Sequence, residues 1–325
     1  MNLLFVGDIM LGRLVNDALK QQPPEYPWGD TLNILNEAFF RICNLECVIS
    51  DRGKPWTVTP KVFHFRTDTK NIEVLKTAGI NMVSFANNHI LDFGNTAMLD
   101  TLKTLKEAGI WAAGSGKNLF QASRPITSHL EGKRISLIAF TDNEPAWEAT
   151  KEKPGIFYVP INLKDARADF LLEVIQETKK TVDFLIVSAH WGPNWGYTPP
   201  PEHIPFAHAL IEAGSDVVFG HSGHVFRGIE IYRNKPIIYG AGNFIDDYAV
   251  DEIERNDQSF IFTLETNFGE IFQLKLYPTI IADFQARLAK DREAHEIALK
   301  MQELCAEFKT AAEWNDRKRY LEITL

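Results

Sequence analysis

The residues with the most chemistry in this 325-residue chain fall where apolar runs stop. Asp8 closes Phe5-Val6-Gly7, Asn44 and Glu46 follow Arg41-Ile42-Cys43, and Asn87-Asn88-His89 follow Met82–Ala86. His190 ends Ile186-Val187-Ser188-Ala189, and His221 and His224 come just after Val217-Val218-Phe219-Gly220. Such short apolar runs read as buried strands, and in α/β sheets the carboxyl ends of strands open on one crevice. Five strand ends would therefore bring two carboxylates, an amide and three imidazoles together. That donor set suits one or two divalent ions of Zn, Mn or Fe. Taken singly, these residues have ordinary uses: an acid after a first strand can be a helix N-cap, and Asn87-Asn88 can make a turn.

The elements that must position them alternate along most of the chain. Strands are expected at Leu3–Val6, Arg41–Leu45, Met82–Ala86, Ile135–Phe140, Phe184–Ala189, Asp216–Gly220 and Pro236–Gly240. Helices are expected at Thr31–Phe39, Lys70–Gly79, Thr96–Gly109, Leu163–Lys179 and Ile204–Gly214, three of them closed by a glycine where a left-handed residue is wanted. This is α/β layering. Beyond it, Gln258–Glu265 and Ile271–Pro278 read as a hairpin around Asn267-Phe268-Gly269. A helix with Ile297, Met301, Leu304, Cys305 and Phe308 on one face follows, and Tyr320–Leu325 reads as a final edge strand. The division is a domain over 1–250 with the hairpin and helix of 251–325 packed on it.

Composition narrows the partners. The 34 Lys and Arg against 43 Asp and Glu give a net charge of −9, so no global field draws in nucleic acid, and any anion must be held locally. No apolar run reaches the length of a membrane span, and no basic leader precedes the first strand. A cytoplasmic protein is expected for the sequence as written, an exported one if it is truncated. Cys43 and Cys47, read in one strand and about 13 Å apart, cannot pair, so the three cysteines read as reduced core thiols.

The motifs together resemble the CapA family of poly-γ-glutamate capsule synthesis, related to the calcineurin-like metallophosphoesterases. The resemblance spans about Asn2 to Phe244 and rests on Gly7-Asp8-Ile9-Met10-Leu11-Gly12-Arg13, Asn44-Leu45-Glu46, Ala86-Asn87-Asn88-His89-Ile90-Leu91-Asp92-Phe93-Gly94, His190-Trp191-Gly192, Gly220-His221-Ser222-Gly223-His224-Val225 and Gly242-Asn243-Phe244. It implies a two-sheet β-sandwich flanked by helices (αββα), with the C-terminal hairpin and helix appended. It further implies Asp8 and His224 at a first ion, Glu46 bridging, and Asn88, His190 and His221 at a second. His89 would serve the leaving group, Asp92 would orient it, and Asn243 would stand behind the ligands. Two positions depart from the related enzymes: Met10 replaces the histidine of Asp-x-His, and Gly220-His221-Ser222-Gly223-His224 is one residue longer than Gly-His-x-His. One tightly held ion with a weaker second is thus as well supported as a full pair.

Around this centre, Arg13 and Arg66 are candidate anion clamps, or surface ion pairs. Trp191-Gly192-Pro193-Asn194-Trp195-Gly196-Tyr197 reads as an aromatic pocket wall with Trp191 at the substrate. Gly114-Ser115-Gly116-Lys117 lacks phosphate-loop spacing and reads as a loop; His208 reads as a structural histidine, and His64, His129, His203 and His295 as surface or loop residues. The expected activity is metal-dependent hydrolysis of a phosphoester or γ-glutamyl amide near a negative charge. The partner would be an anionic small molecule or poly-γ-glutamate, with a capsule-synthesis complex as a further implication. A non-catalytic poly-γ-glutamate binding or assembly component is the alternative.

Overall fold

A computed structural model describes residues 1–325. Apolar residues on both faces of each central strand force two sheets to stack with helices outside. In Asn2–Ile9, Leu3 and Phe5 point into the core between the sheets, while Leu4 and Val6 point to an outer core. In Phe184–His190, Phe184 and Ile186 face the shared core, and Leu185, Val187 and Ala189 face the helices behind.

The larger sheet has ten strands and places Asn2–Ile9, Phe40–Leu45, Met82–Ser84 and Trp111–Ala113 side by side and parallel. The smaller has six, with Lys133–Thr141, Phe184–His190, Val217–His221 and Lys235–Ile238 parallel. The helices Leu32–Glu37, Ile72–Thr77 and Gly94–Glu107 bury side chains against the first sheet, and Ala166–Lys179 and His203–Ala213 against the second. The expected sandwich with flanking helices is the observed architecture.

The C-terminal segment is welded to this frame. The hairpin forms as Gln258–Thr266 and Ile271–Ala282, and its first strand pairs antiparallel with Asn2–Ile9, Asn2 opposite Glu265. The helix Asp291–Ala306 sends Ile297, Met301, Leu304 and Cys305 into the core between the sheets.

Several boundaries differ from expectation. Tyr320–Thr324 is not the edge strand, because Glu313–Asn315 pairs outside it. Phe308 lies past the helix end and stacks on Tyr239 at 4.9 Å. The second strand stops at Leu45, so Cys47 lies beyond it; all three thiols are free and buried. Ser115–Gly116 is a short strand pairing with Gly155–Ile156, not an open loop. His203 is buried, not a surface residue, and packs on Trp191.

Candidate metal centre

The first strand continues through Asp8, which lies opposite Asn44 on one side and Asn243 on the other. The register shifts at Asp8 on both sides, a bulge of the kind that re-aims one side chain next to a site. Gly7 allows this: a Cβ there would stand 1.8 Å from the carbonyl of Gly242, whose neighbour Asn243 must come this close. Asp8 does not cap a helix; the following helix starts after Gly12. Asn44 Nδ2 donates to Asp8 Oδ1 at 2.8 Å, and Asn87 Nδ2 donates to Asn44 Oδ1 at 3.0 Å. Asn87 Oδ1 accepts from the His89 amide at 3.0 Å, so Asn87 braces the turn that presents Asn88 and His89.

On the second sheet, His190 and His221 end adjacent strands in direct register. Their Nδ1 atoms lie 2.8 Å apart, His221 Nε2 meets Ser188 Oγ at 2.8 Å, and His190 Nε2 meets Asn88 Oδ1 at 3.1 Å. Ser222 and His224 take positive φ values of 99° and 53°, which turns the longer Gly220–His224 motif back on itself. His224 Nδ1 then meets Asn243 Oδ1 at 3.0 Å.

Two clusters of donor atoms result, Asp8 with His190 and His221, and Asp8 with Glu46 and His224, each with all atoms within 4.8 Å of one another. Asp8, and not Glu46, is the member they share. The donors fit a divalent cation on a direct ground: Asp8 Oδ2 and both Glu46 oxygens are buried with no hydrogen-bond partner. Burial, with Asp8 alongside, pushes the Glu46 carboxyl well above its ordinary range, and burial raises Asp8. Two adjacent buried carboxylates ionise together only where a cation compensates them. Met10 takes no part, since its buried Sδ accepts the Gly12 amide at 3.0 Å.

A cavity of about 580 Å³ opens over these donors, with Asn88, His89 and His224 in its wall. His89 Nδ1 meets Asp92 Oδ2 at 2.7 Å, and Nε2 stands 3.7 Å from Glu46 Oε1. Asp92 is buried, which lifts its carboxyl to about 7 even though Lys61 opposes the shift; Lys61 Nζ lies 3.5 Å from Asp92 Oδ1 and 3.3 Å from Glu144. His89 is kept neutral, its pKa lowered first by burial and then by Lys61. Arg13 reaches the cavity with its guanidinium held 3.2 Å from Asp247.

Residues 2–248 match the family described as bacterial capsule synthesis protein PGA_cap. The chain belongs to that family. A probable polyglutamine synthesis accessory protein of Mycobacterium tuberculosis is 34% identical over 82% of this chain and 73% of its own length. The capsule biosynthesis protein CapA of Bacillus anthracis is 29% identical over 76% of this chain, and the PGA biosynthesis protein CapA of Bacillus subtilis 30% over 75%. The chain spans 60% and 62% of those two proteins. Among solved structures, a phosphatase from Mycoplasma pneumoniae superposes with a TM-score of 0.53 at 16% identity, covering 86% of this chain and 93% of its own. That likeness is one of fold.

Two expected substrate contacts lie elsewhere. Trp191 is wholly buried and donates Nε1–H to the Tyr239 carbonyl at 3.0 Å, because the residue after His190 must face the opposite side of its strand. Trp195, on the loop beyond, lines the cavity instead. Arg66 lies outside the cavity wall, its guanidinium over the Phe93 ring at 4.3 Å. Lys61, Phe65 and Tyr248 were not foreseen: they come from loops without periodicity, and only the Asp92 carboxylate, in need of a cation, hinted at Lys61.

Proposed function

We propose that this member of the capsule-synthesis family is a metal-dependent hydrolase of a phosphoester or γ-glutamyl amide beside a negative charge, in poly-γ-glutamate metabolism. The observation that carries the reading is the pairing of orphaned Asp8 and Glu46 oxygens with a cavity-facing His89 that is itself oriented by Asp92. A divalent ion held by Asp8, Glu46, Asn88, His190, His221 and His224 would activate a water and polarise the scissile group.

The chain's own residues supply the rest. With Nδ1–H committed to Asp92, the neutral His89 ring leaves Nε2 free to take a proton and return it to the leaving group. Lys61, paired with Asp92 and Glu144, and Arg13, paired with Asp247, bring two cationic side chains to the cavity wall, where they would meet a carboxylate or phosphate. Phe65 lies flat on His89 at 3.9 Å and shields it from bulk water.

His89→Ala tests the reading. Turnover on phosphoesters or γ-glutamyl peptides should fall about 10²–10⁴-fold, with ion content and melting temperature nearly unchanged. The binding-only alternative draws support from Met10, whose sulfur is tied to the chain. Wild-type protein loaded with Mn, Zn or Fe that binds poly-γ-glutamate but cleaves no substrate of either class would establish that alternative.

A further inference from the structure

Tyr248 occupies a place in the cavity wall that the roles above leave unused. Its ring meets His224 edge-on at 5.3 Å and Phe65 at 5.6 Å, and Phe65 in turn stacks on His89. The phenol thus spans the wall between an ion-side imidazole and the imidazole that carries the proton. The Tyr248 amide donates to Asp246 Oδ1 at 2.9 Å, which fixes the backbone from which the ring projects.

The hydroxyl is buried and finds no hydrogen-bond partner in the protein, although the ring lines the cavity. Buried hydroxyls are nearly always paired, so one left without a partner just behind a cavity wall calls for an acceptor that arrives with the ligand. A phenol keeps its proton at neutral pH and is therefore a donor. Arg13 and Lys61 stand in the same wall, each paired with a carboxylate, Arg13 with Asp247 and Lys61 with Asp92 and Glu144, and a phosphoester or acyl substrate of the proposed reaction brings acceptor oxygens to it.

We infer that Tyr248 is a catalytic residue, its hydroxyl donating a hydrogen bond to an oxygen of the scissile phosphoryl or acyl group. The inference rests on the hydrolase reading and deepens it by assigning the donor that meets the charge developing on that oxygen. A fixed donor of this kind acts more strongly on the transition state than on the bound substrate, and losing one costs about 10²–10³ in kcat.

Tyr248→Phe removes one oxygen and keeps the ring against His224 and Phe65. In manganese-loaded protein, kcat should fall at least about 10²-fold while KM moves little. Melting temperature and ion content by elemental analysis should stay at wild-type values, and inorganic phosphate, titrated calorimetrically, should bind with nearly wild-type affinity. Undiminished kcat in the variant overturns the inference and leaves the hydrolase reading intact. Loss of the ion together with activity also overturns it, by making the phenol a ligand or a support for one. Wild-type protein inert on both substrate classes sinks the hydrolase reading, and the inference with it.

Discussion

On the first sheet the strand ends deliver Asp8 and Glu46; on the second they deliver His190 and His221. Both pairs are buried, yet the protein treats them oppositely. Each imidazole already has polar partners: His221 has Ser188 and His190, and His190 has Asn88. Three of the four carboxylate oxygens have none. The imidazole half is therefore preorganised by the fold, whereas the carboxylate half is complete only with a cation. Met10 adds to the contrast, since its sulfur, just past the end of the first strand, is already tied to the Gly12 amide and offers the carboxylate half no further donor.

The sharpest way to break this comparison is to count ions. The braced half, His190 and His221 with Asn88 and the shared Asp8, should keep one ion through dialysis, and a second at Glu46 and His224 should exchange readily. His190→Ala should weaken the retained ion by at least about 10²-fold, since even partners behind a ligand are worth 10–100-fold. Elemental analysis that finds two firmly held ions per chain in the wild type would show that the halves are equivalent.

Stability without the ion should separate the halves by sign. In chelator, Glu46→Gln removes a buried acid and supplies an N–H that can satisfy Asp8, so it should stabilise the protein by roughly 1–2 kcal/mol. His221→Gln disturbs bonds already made and should destabilise it by about 1–3 kcal/mol. With Mn restored, both variants should lose stability relative to the wild type. Denaturant midpoints measured with and without chelator decide this, and a Glu46→Gln protein destabilised in both conditions would contradict an unsatisfied carboxylate half.

The convergence of the strand ends that carry the candidate donors was legible because two rules coincide there: apolar runs mark buried strands, and parallel strands converge at their carboxyl ends. Asp8, Glu46, Asn88, His190, His221 and His224 all follow from that logic. Which oxygen goes unpaired depends on register: Asp8 is the shared member because a bulge re-aims it, and no residue type announces a bulge at that point. Trp191 was misplaced for an avoidable reason. A strand alternates, so if His190 faces the crevice its neighbour cannot. Lys61, Trp195 and Tyr248 sit on loops, where side-chain direction is set by contacts distant in sequence, such as Tyr248 against His224. The C-terminal helix was readable because its stripe of Ile297, Met301 and Leu304 has one period and one face.

His203 gives a smaller and independent measure of what an unbraced imidazole costs. It is buried against Trp191, its Nδ1 has no partner, and burial, then Arg227, lowers its pKa from 6.5 to about 3. The folded state thus refuses a proton that the unfolded state accepts below about 6.5. Its contribution is therefore present above that pH and is lost as pH falls from about 6.5 toward 3. At pH 5.5, about one unit below the unfolded value, the loss relative to neutral pH should approach 1.4 kcal/mol. His203→Gln has no proton to refuse, so it should cost some stability at pH 7.5 and recover most of that deficit at pH 5.5. His190 and His221 titrate in both proteins, and the difference between the two pH profiles cancels their share. Parallel profiles for the variant and the wild type would mean that the His203 ring gains its proton in the folded state, and that burial alone does not hold this imidazole neutral.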